Sequence, residues 1–422
     1  MTSRERVVAA INHKAPDRVP MDLGGSAQTG INASTLYKLR IAYGLPVHPI
    51  RICEPIQMLG EVEPDLLSLI GVDVIPLWNP GNGMGVINDL TQPWKMPDGT
   101  PVVMAKEFVY TATENGDTFA YPCGDSTVEP SYHMPSGGSF FDFINRSPDF
   151  NEDNLTPVED FQDSYKLHNE ETCIFWERES KRLFEQTDLA VLGSLGGGAL
   201  GDAADIPGAT LKHPKGIRRM SDWLMAHVLY PEYIEAVFTI QTDIMLKNLS
   251  LYKEAVGERI QVVWISGTDF GTQNSQFMST EVFTKLYKPF YKRINDWVHS
   301  NTSWKTFYHC CGAVSALVPE FIEMGVDILN PVQCSAAGMD ARNLKDSFGD
   351  SITFWGGAVN TQQTLPFGTT SDVRREVLER LKVFSTNGGF VFAAIHNIVA
   401  KTPVENVVAM FDALSEYRSM LT

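Results

Sequence analysis

Eight apolar runs, separated by amphipathic stretches, constrain this chain more than any other feature of it. They read RVPMDL (18–23), VDVIPLW (72–78), LAVLGSL (189–195), QVVWISG (261–267), KTFYH (305–309), DILNPV (327–332), ITFWGGA (352–358) and GFVFAAI (389–395). Continuous apolar runs suit strands covered on both faces, as in parallel sheets. Eight such strands alternating with helices predict a (β/α)8 TIM barrel, and the alternation is clearest after residue 258. The intervening segments carry helix signals. Thr2 and Glu5 form a capping box at the start of the helical pattern TSRERVVAAINHK, which APDR breaks. Ser279 is cap-like before TEVFTKLYKPFYKRINDWVHS, read as one helix, and Ser371 before DVRREVLERLKVFSTN, which ends in Gly388-Gly389. Pro403 sits early in the first turn of the last helix.

Residues 79–160 break this rhythm. They are rich in Gly, Pro, Asp and Thr, and the DGT and NGDT turns between alternating segments predict antiparallel hairpins. The expectation is one barrel domain over residues 1–422 with a β-rich insertion at 79–160, after the second strand and over the face where such barrels carry chemistry. The glycine-rich SLGGGALGDAAD after the third strand lacks a P-loop lysine and a dinucleotide fingerprint, and reads as a loop.

Composition narrows the function. Of 422 residues, 43% are hydrophobic and 20% charged, which is globular, and the formal charge is −17. A net-acidic surface argues against nucleic acid and anionic lipid as partners. No apolar signal core follows MTSRERVVAA and no run approaches the ~18 residues of a membrane helix, so a cytoplasmic protein is expected. Its six cysteines are then thiols or metal ligands rather than disulfides.

In a barrel the chemistry lies where strands give way to the following loops. Those positions hold Asp22, Trp78, Asp269, Gln273, His309, Cys310, Cys311, Gln333, Cys334, Asn360, Gln362, His396 and Asn397. His309 and Cys311 are two apart at a strand exit, so both can face the mouth while Cys310 points away. Cys334 follows the next strand and is expected beside them. A metal set of His309, Cys311 and Cys334, with His396 as a fourth candidate, suits zinc with an exchangeable position. Asp269 and His396 are candidates for acid–base catalysis; Asp269 could equally cap a loop. Trp78, Gln273, Gln333, Trp355, Asn360 and Asn397 are candidates for substrate contacts. Trp78, Phe270 and Trp355 could line an apolar pocket or pack in the core. Glu54, in RICEPIQ, is a weaker candidate.

SRERVVAAINHKAPDRVPMDLGG, TDFGTQNSQFMSTEVFTKLYKPFYKRI and NPVQCSAAGMDARNLKDSFGD with TFWGGAVNTQQTLPFGT resemble the uroporphyrinogen decarboxylase superfamily over most of the chain outside the insertion. That resemblance implies a barrel with its cleft at the C-terminal mouth. True decarboxylases of the superfamily carry an arginine-rich R-Q-A-G-R segment after the first strand, where this chain has LGGSAQTG. The cobalamin-dependent methyltransferase branch, which includes the methylcobalamin:coenzyme M enzymes, uses H-x-C-G and a C-terminal cysteine for zinc. HCCG matches the first motif at His309 and Cys311; in the second, HNIVAKTP places His396 where the branch has its cysteine. The resemblance implies zinc as cofactor and a corrinoid, methylcobalamin or Co(I) cobalamin, carried by a partner corrinoid protein. The expected activity is methyl transfer between a small methylated donor or thiol acceptor and that corrinoid. The alternatives are a metal-free decarboxylase-like lyase and a non-catalytic barrel that binds a tetrapyrrole or other small molecule.

Overall fold

The computed structural model describes residues 1–420. Seven parallel strands form one sheet in which each pairs with the next in sequence: Val74–Leu77, Ala190–Ser194, Val262–Ser266, Lys305–His309, Ile328–Asn330, Thr353–Trp355 and Phe390–Val391. The segment 20–22 closes the ring. Met21 bridges Phe392 in parallel, Asp22 N–H donates to Phe392 O and Phe392 N–H to Pro20 O across that edge, and Asp73 N–H donates to Met21 O on the other side. All eight apolar runs therefore occupy barrel positions, and the fold is a (β/α)8 barrel.

Alternation along each strand sorts side chains into two cores. Val74, Leu192, Val262, Phe307, Ile328, Trp355 and Val391 point inward, and Val7, Ala10 and Ile11 of the helix Ser3–Ile11 plug the end below them. Val191, Val263, Tyr308, Cys310, Leu329 and Phe354 point outward against the helices. The capping box at Thr2 and Glu5 is present. Two helix readings need correction. The segment after Ser279 is two helices, Thr280–Leu286 and Lys288–Asn301, because Pro289 starts a new first turn after Tyr287. The helix Thr370–Phe384 is capped by Thr369, which makes a capping box with Asp372, and Ser371 lies inside it.

The β-rich insertion follows the second barrel position. Thr91–Lys95 and Pro101–Ala105 form a hairpin, and Tyr110–Ala112, Thr118–Ala120, Tyr132–Met134 and Asp142–Phe143 an antiparallel meander. The DGT and NGDT turns place Gly99 and Gly116 at φ +87° and +92°, where glycine is favoured. Sequence reading missed a further pair, Ile50–Glu54 and Leu59–Gly60, which extends the first hairpin into a four-stranded sheet through parallel pairing of Ile50–Glu54 with Pro101–Ala105. The insertion is thus joined to the segment between the first two barrel positions.

Candidate metal centre at the barrel mouth

His309 is the last residue of its strand and continues the inward parity of Phe307. Cys311, two residues on, shares that side, and its Sγ lies 3.3 Å from His309 Nε2. Cys310 turns outward into the core, where its sulfur accepts from Phe270 N–H. His396 comes in from the loop after the last strand, with its ring at 71° to that of His309 and the centroids 5.3 Å apart. One donor atom from each of His309, Cys311 and His396 falls within 4.8 Å of the other two. His309 is buried, whereas Cys311 and His396 are half-buried, so the group is open on one side.

The surroundings orient these donors. Asn330 is in register with His309 on the neighbouring strand. Its Nδ2 donates to Trp355 O at 2.9 Å, which leaves Oδ1 to accept from His309 Nδ1–H at 2.6 Å. That fixes the tautomer with the Nε2 lone pair toward Cys311, a common arrangement behind metal-ligating histidines. Asp269 Oδ1 accepts Cys311 N–H at 2.6 Å, and Gln333 Oε1 accepts Gly312 N–H at 2.8 Å. Asp269 therefore caps the loop that carries Cys311. Burial lowers His309 to about 4, and burial with the neighbouring His309 lowers His396 to about 4, so both imidazoles are neutral donors. Burial raises the Cys311 thiol, with Asp269 adding to the shift; in the metal-free protein it keeps its proton. Two imidazole nitrogens and one sulfur at these separations fit tetrahedral zinc, with thiolate at about 2.3 Å and imidazole at about 2.0–2.1 Å, and a fourth position left for an exchangeable ligand.

Cys334 is outside this group, contrary to the sequence expectation. Its strand ends at Asn330, so the residue level with His309 is Asn330, four positions earlier. Cys334 instead feels the charges of Arg380 and Glu376, and burial pushes its thiol up to about 11. His396 takes the third donor position. Asn330 was not anticipated; the signal was a polar residue ending the apolar run DILN at inward parity.

The proposed substrate residues separate. Trp78 and Asn397 line a cavity of 680 Å³ above the mouth, walled in part by Phe140, Phe141 and Phe143 of the insertion. The three donors do not line it; Asn397, next to His396, connects the two. Trp355 is instead inside the barrel, stacked edge-on to Phe307, with its Nε1–H on Asp22 Oδ2 at 2.8 Å. Phe270 packs against Phe283 and Tyr287 in the core. Asn360 is structural, since its Oδ1 accepts from Gln362 and Gln363 N–H. Gln273 pairs with Gln362 at a separate shallow depression. Glu54 lines the cavity, its two oxygens accepting Ile56 and Gln57 N–H.

A search of curated proteins by sequence finds no match. Among solved structures, a methyltransferase from Methanosarcina mazei superposes with a TM-score of 0.55 at 16% identity, covering 99% of this chain and 99% of that one, which supports the fold. Residues 211–417 match the family model described as Uroporphyrinogen decarboxylase (URO-D). This region holds five of the eight barrel positions and all three candidate donors, and over it the chain is similar to the uroporphyrinogen decarboxylase family.

Proposed function

We propose that this protein is a zinc-dependent methyltransferase that moves a methyl group between a small methylated substrate or thiol and a corrinoid held by a partner protein. The observation that carries the reading is the open N/S donor group of His309, Cys311 and His396 at the mouth of the barrel. The fold shared with a methyltransferase over nearly the whole length of both chains is in keeping with it. Bound there, zinc would supply a Lewis acid for a substrate heteroatom. The chain's own part is positioning. Asn330 holds His309 in the tautomer that presents Nε2, Asp269 and Gln333 fix the loop of Cys311 and Gly312, and Asn397 ties the His396 loop to the cavity wall by donating to Ala27 O and Gln57 Oε1.

A metal-free decarboxylase-like lyase is the second reading, favoured by the carboxyl of Asp269, which burial raises above the ordinary range. Against decarboxylation of a polyanionic porphyrin, the loop after Asp22 contains no arginine to pair with carboxylates. The two readings are separated by mixing the purified protein with reduced corrinoid and a panel of phenyl methyl ethers, methylamines, betaines and thiols. Methyl transfer is expected to shift the cobalt spectrum from Co(I) to methyl-Co(III), or the reverse with a thiol, and to require Cys311. No transfer across the panel with the metal bound, or efficient release of carbon dioxide from uroporphyrinogen, would contradict the proposal.

A further inference from the structure

The cavity beside the metal group has a one-sided charge. Its lining includes two carboxylates, Glu54 and Asp142, and no lysine, arginine or histidine. Neither carboxylate has an ion-pair partner among the described residues. Glu54 is held by backbone N–H groups alone, from Ile56 at 2.9 Å and Gln57 at 2.7 Å. Burial raises its carboxyl above the ordinary range, the behaviour of an acid that lacks a counter-charge. The other walls are aromatic and amide. Trp78, Phe140 and Phe143 supply ring faces or edges. The amides are largely spent on the walls: Asn88 donates to Cys53 O, Asn82 to Asn88, and Asn397 to Gln57. What remains for a ligand is the Glu54 carboxylate, aromatic surface and the neutral amides of Gln28, Gln57 Nε2 and Asn79 Nδ2, which bond no described residue and supply no full positive charge to an anion.

We infer that this cavity binds a small organic cation, a methylated ammonium or sulfonium joined to an apolar group, with Glu54 as its counter-charge and Trp78 and the insertion's phenylalanines around its methyl groups. Aromatic faces and a desolvated carboxylate are complementary to quaternary cations, which need no hydrogen-bond acceptor. An anionic ligand would meet two carboxylates and no cation. The inference rests on taking the cavity as the substrate chamber of the proposed methyltransferase, and it names the substrate class that chamber selects; because a quaternary nitrogen has no lone pair for zinc and leaves as a neutral amine, the heteroatom that zinc would hold is then that of the thiol.

Calorimetry on the full chain, with no corrinoid present, tests it using three probes of similar shape: phenyltrimethylammonium, anisole and benzenesulfonate. Phenyltrimethylammonium is expected to bind at least about tenfold more tightly than either of the others, and Glu54→Gln to weaken it by about tenfold while leaving anisole unchanged. Glu54→Gln keeps one carbonyl oxygen for the backbone N–H groups; a thermal melt checks that it folds, and if it does not, the wild-type preference among the probes decides alone. Equal or tighter binding of benzenesulfonate or anisole, binding of none of the three, or full cation affinity in a folded Glu54→Gln protein would overturn the inference. Because binding is read without corrinoid, cation binding without methyl transfer would sink the proposed function and leave this inference standing, and methyl transfer from neutral donors without cation binding would do the opposite.

Discussion

The two ends of this barrel treat buried polar groups in opposite ways. At the closed end, the fully buried Asp73 accepts from Ser3 Oγ, from Arg6 at 2.6 Å, from Arg18 at 2.8 Å, from Arg418 at 3.3 Å and from Met21 N–H. Every one of these bonds joins one part of the chain to another, and the helix Ser3–Ile11 seals the space beneath. At the open end, His396 makes no hydrogen bond to any described residue, the Nε2 of His309 faces only a sulfur, and Cys311 is half-buried beside them. Polar groups saturated by the chain itself build stability; groups held in place by their neighbours, with lone pairs left over, are available for a ligand.

The largest effect is expected at the closed end. Asp73→Ala leaves Arg6, Arg18 and Arg418 without their shared partner, and burial together with Arg18 already holds Arg418 down to about 9. Removing one partner of a buried ion pair costs about 3–5 kcal/mol, so chemical denaturation should show a loss of that order while any surviving folded protein still binds metal. At the open end, Asn330→Ala removes the acceptor of His309 Nδ1–H. Competition against a chelator should show metal affinity lowered about 10–100-fold, with a smaller loss of stability than at Asp73.

A third expectation concerns pH in the metal-free protein. His396 falls from an ordinary 6.5 to about 4 because the half-buried residue's ring is desolvated and lies beside His309. Between those values the unfolded chain binds the proton and the folded chain does not, so this group's contribution is whole above pH 6.5 and is lost as pH falls toward 4. Asp22, raised to about 6 by burial, has the opposite slope, so the comparison must be between proteins. Relative to wild type, His396→Gln should gain stability on going from pH 7 to pH 4.5, by on the order of 1–2 kcal/mol in denaturation curves. No change in the difference would mean that His396 is not held neutral by the fold. Smaller still, Gln333→Ala releases only Gly312 N–H and should weaken metal binding about fivefold, the equivalent of one neutral hydrogen bond of about 1 kcal/mol.

The contrast between the ends also explains what could be read from the residues alone. The eight strands were legible because each is covered on both faces and so appears as an unbroken apolar run. The His309 and Cys311 pair was legible because period-two alternation is a local rule, and it also placed Cys310 correctly in the outer core. The third donor was legible only as a fourth candidate ranked behind Cys334, because the choice between His396 and Cys334 depends on strand register and on how far each loop travels. Ile328–Asn330 is three residues long, so Asn330 rather than Cys334 ends level with His309, while His396 is delivered by a loop five residues beyond its strand. Trp355 illustrates a related limit: a residue at a strand end can face the closed interior, here reaching Asp22, instead of the cavity. The strand Ile50–Glu54 escaped notice because one partner, Leu59–Gly60, is only two residues long and the other, Pro101–Ala105, lies some fifty residues away in the insertion.

The central claim is that His309, Cys311 and His396 together hold a metal ion that Cys334 does not touch. Elemental analysis of wild type and of Cys311→Ala, His396→Ala and Cys334→Ala, purified in parallel, tests it most directly. The account predicts about one zinc per chain in wild type and in Cys334→Ala, and loss of most of it in the other two. Zinc retained in Cys311→Ala and His396→Ala, lost in Cys334→Ala, or absent from wild type prepared with zinc available would contradict it.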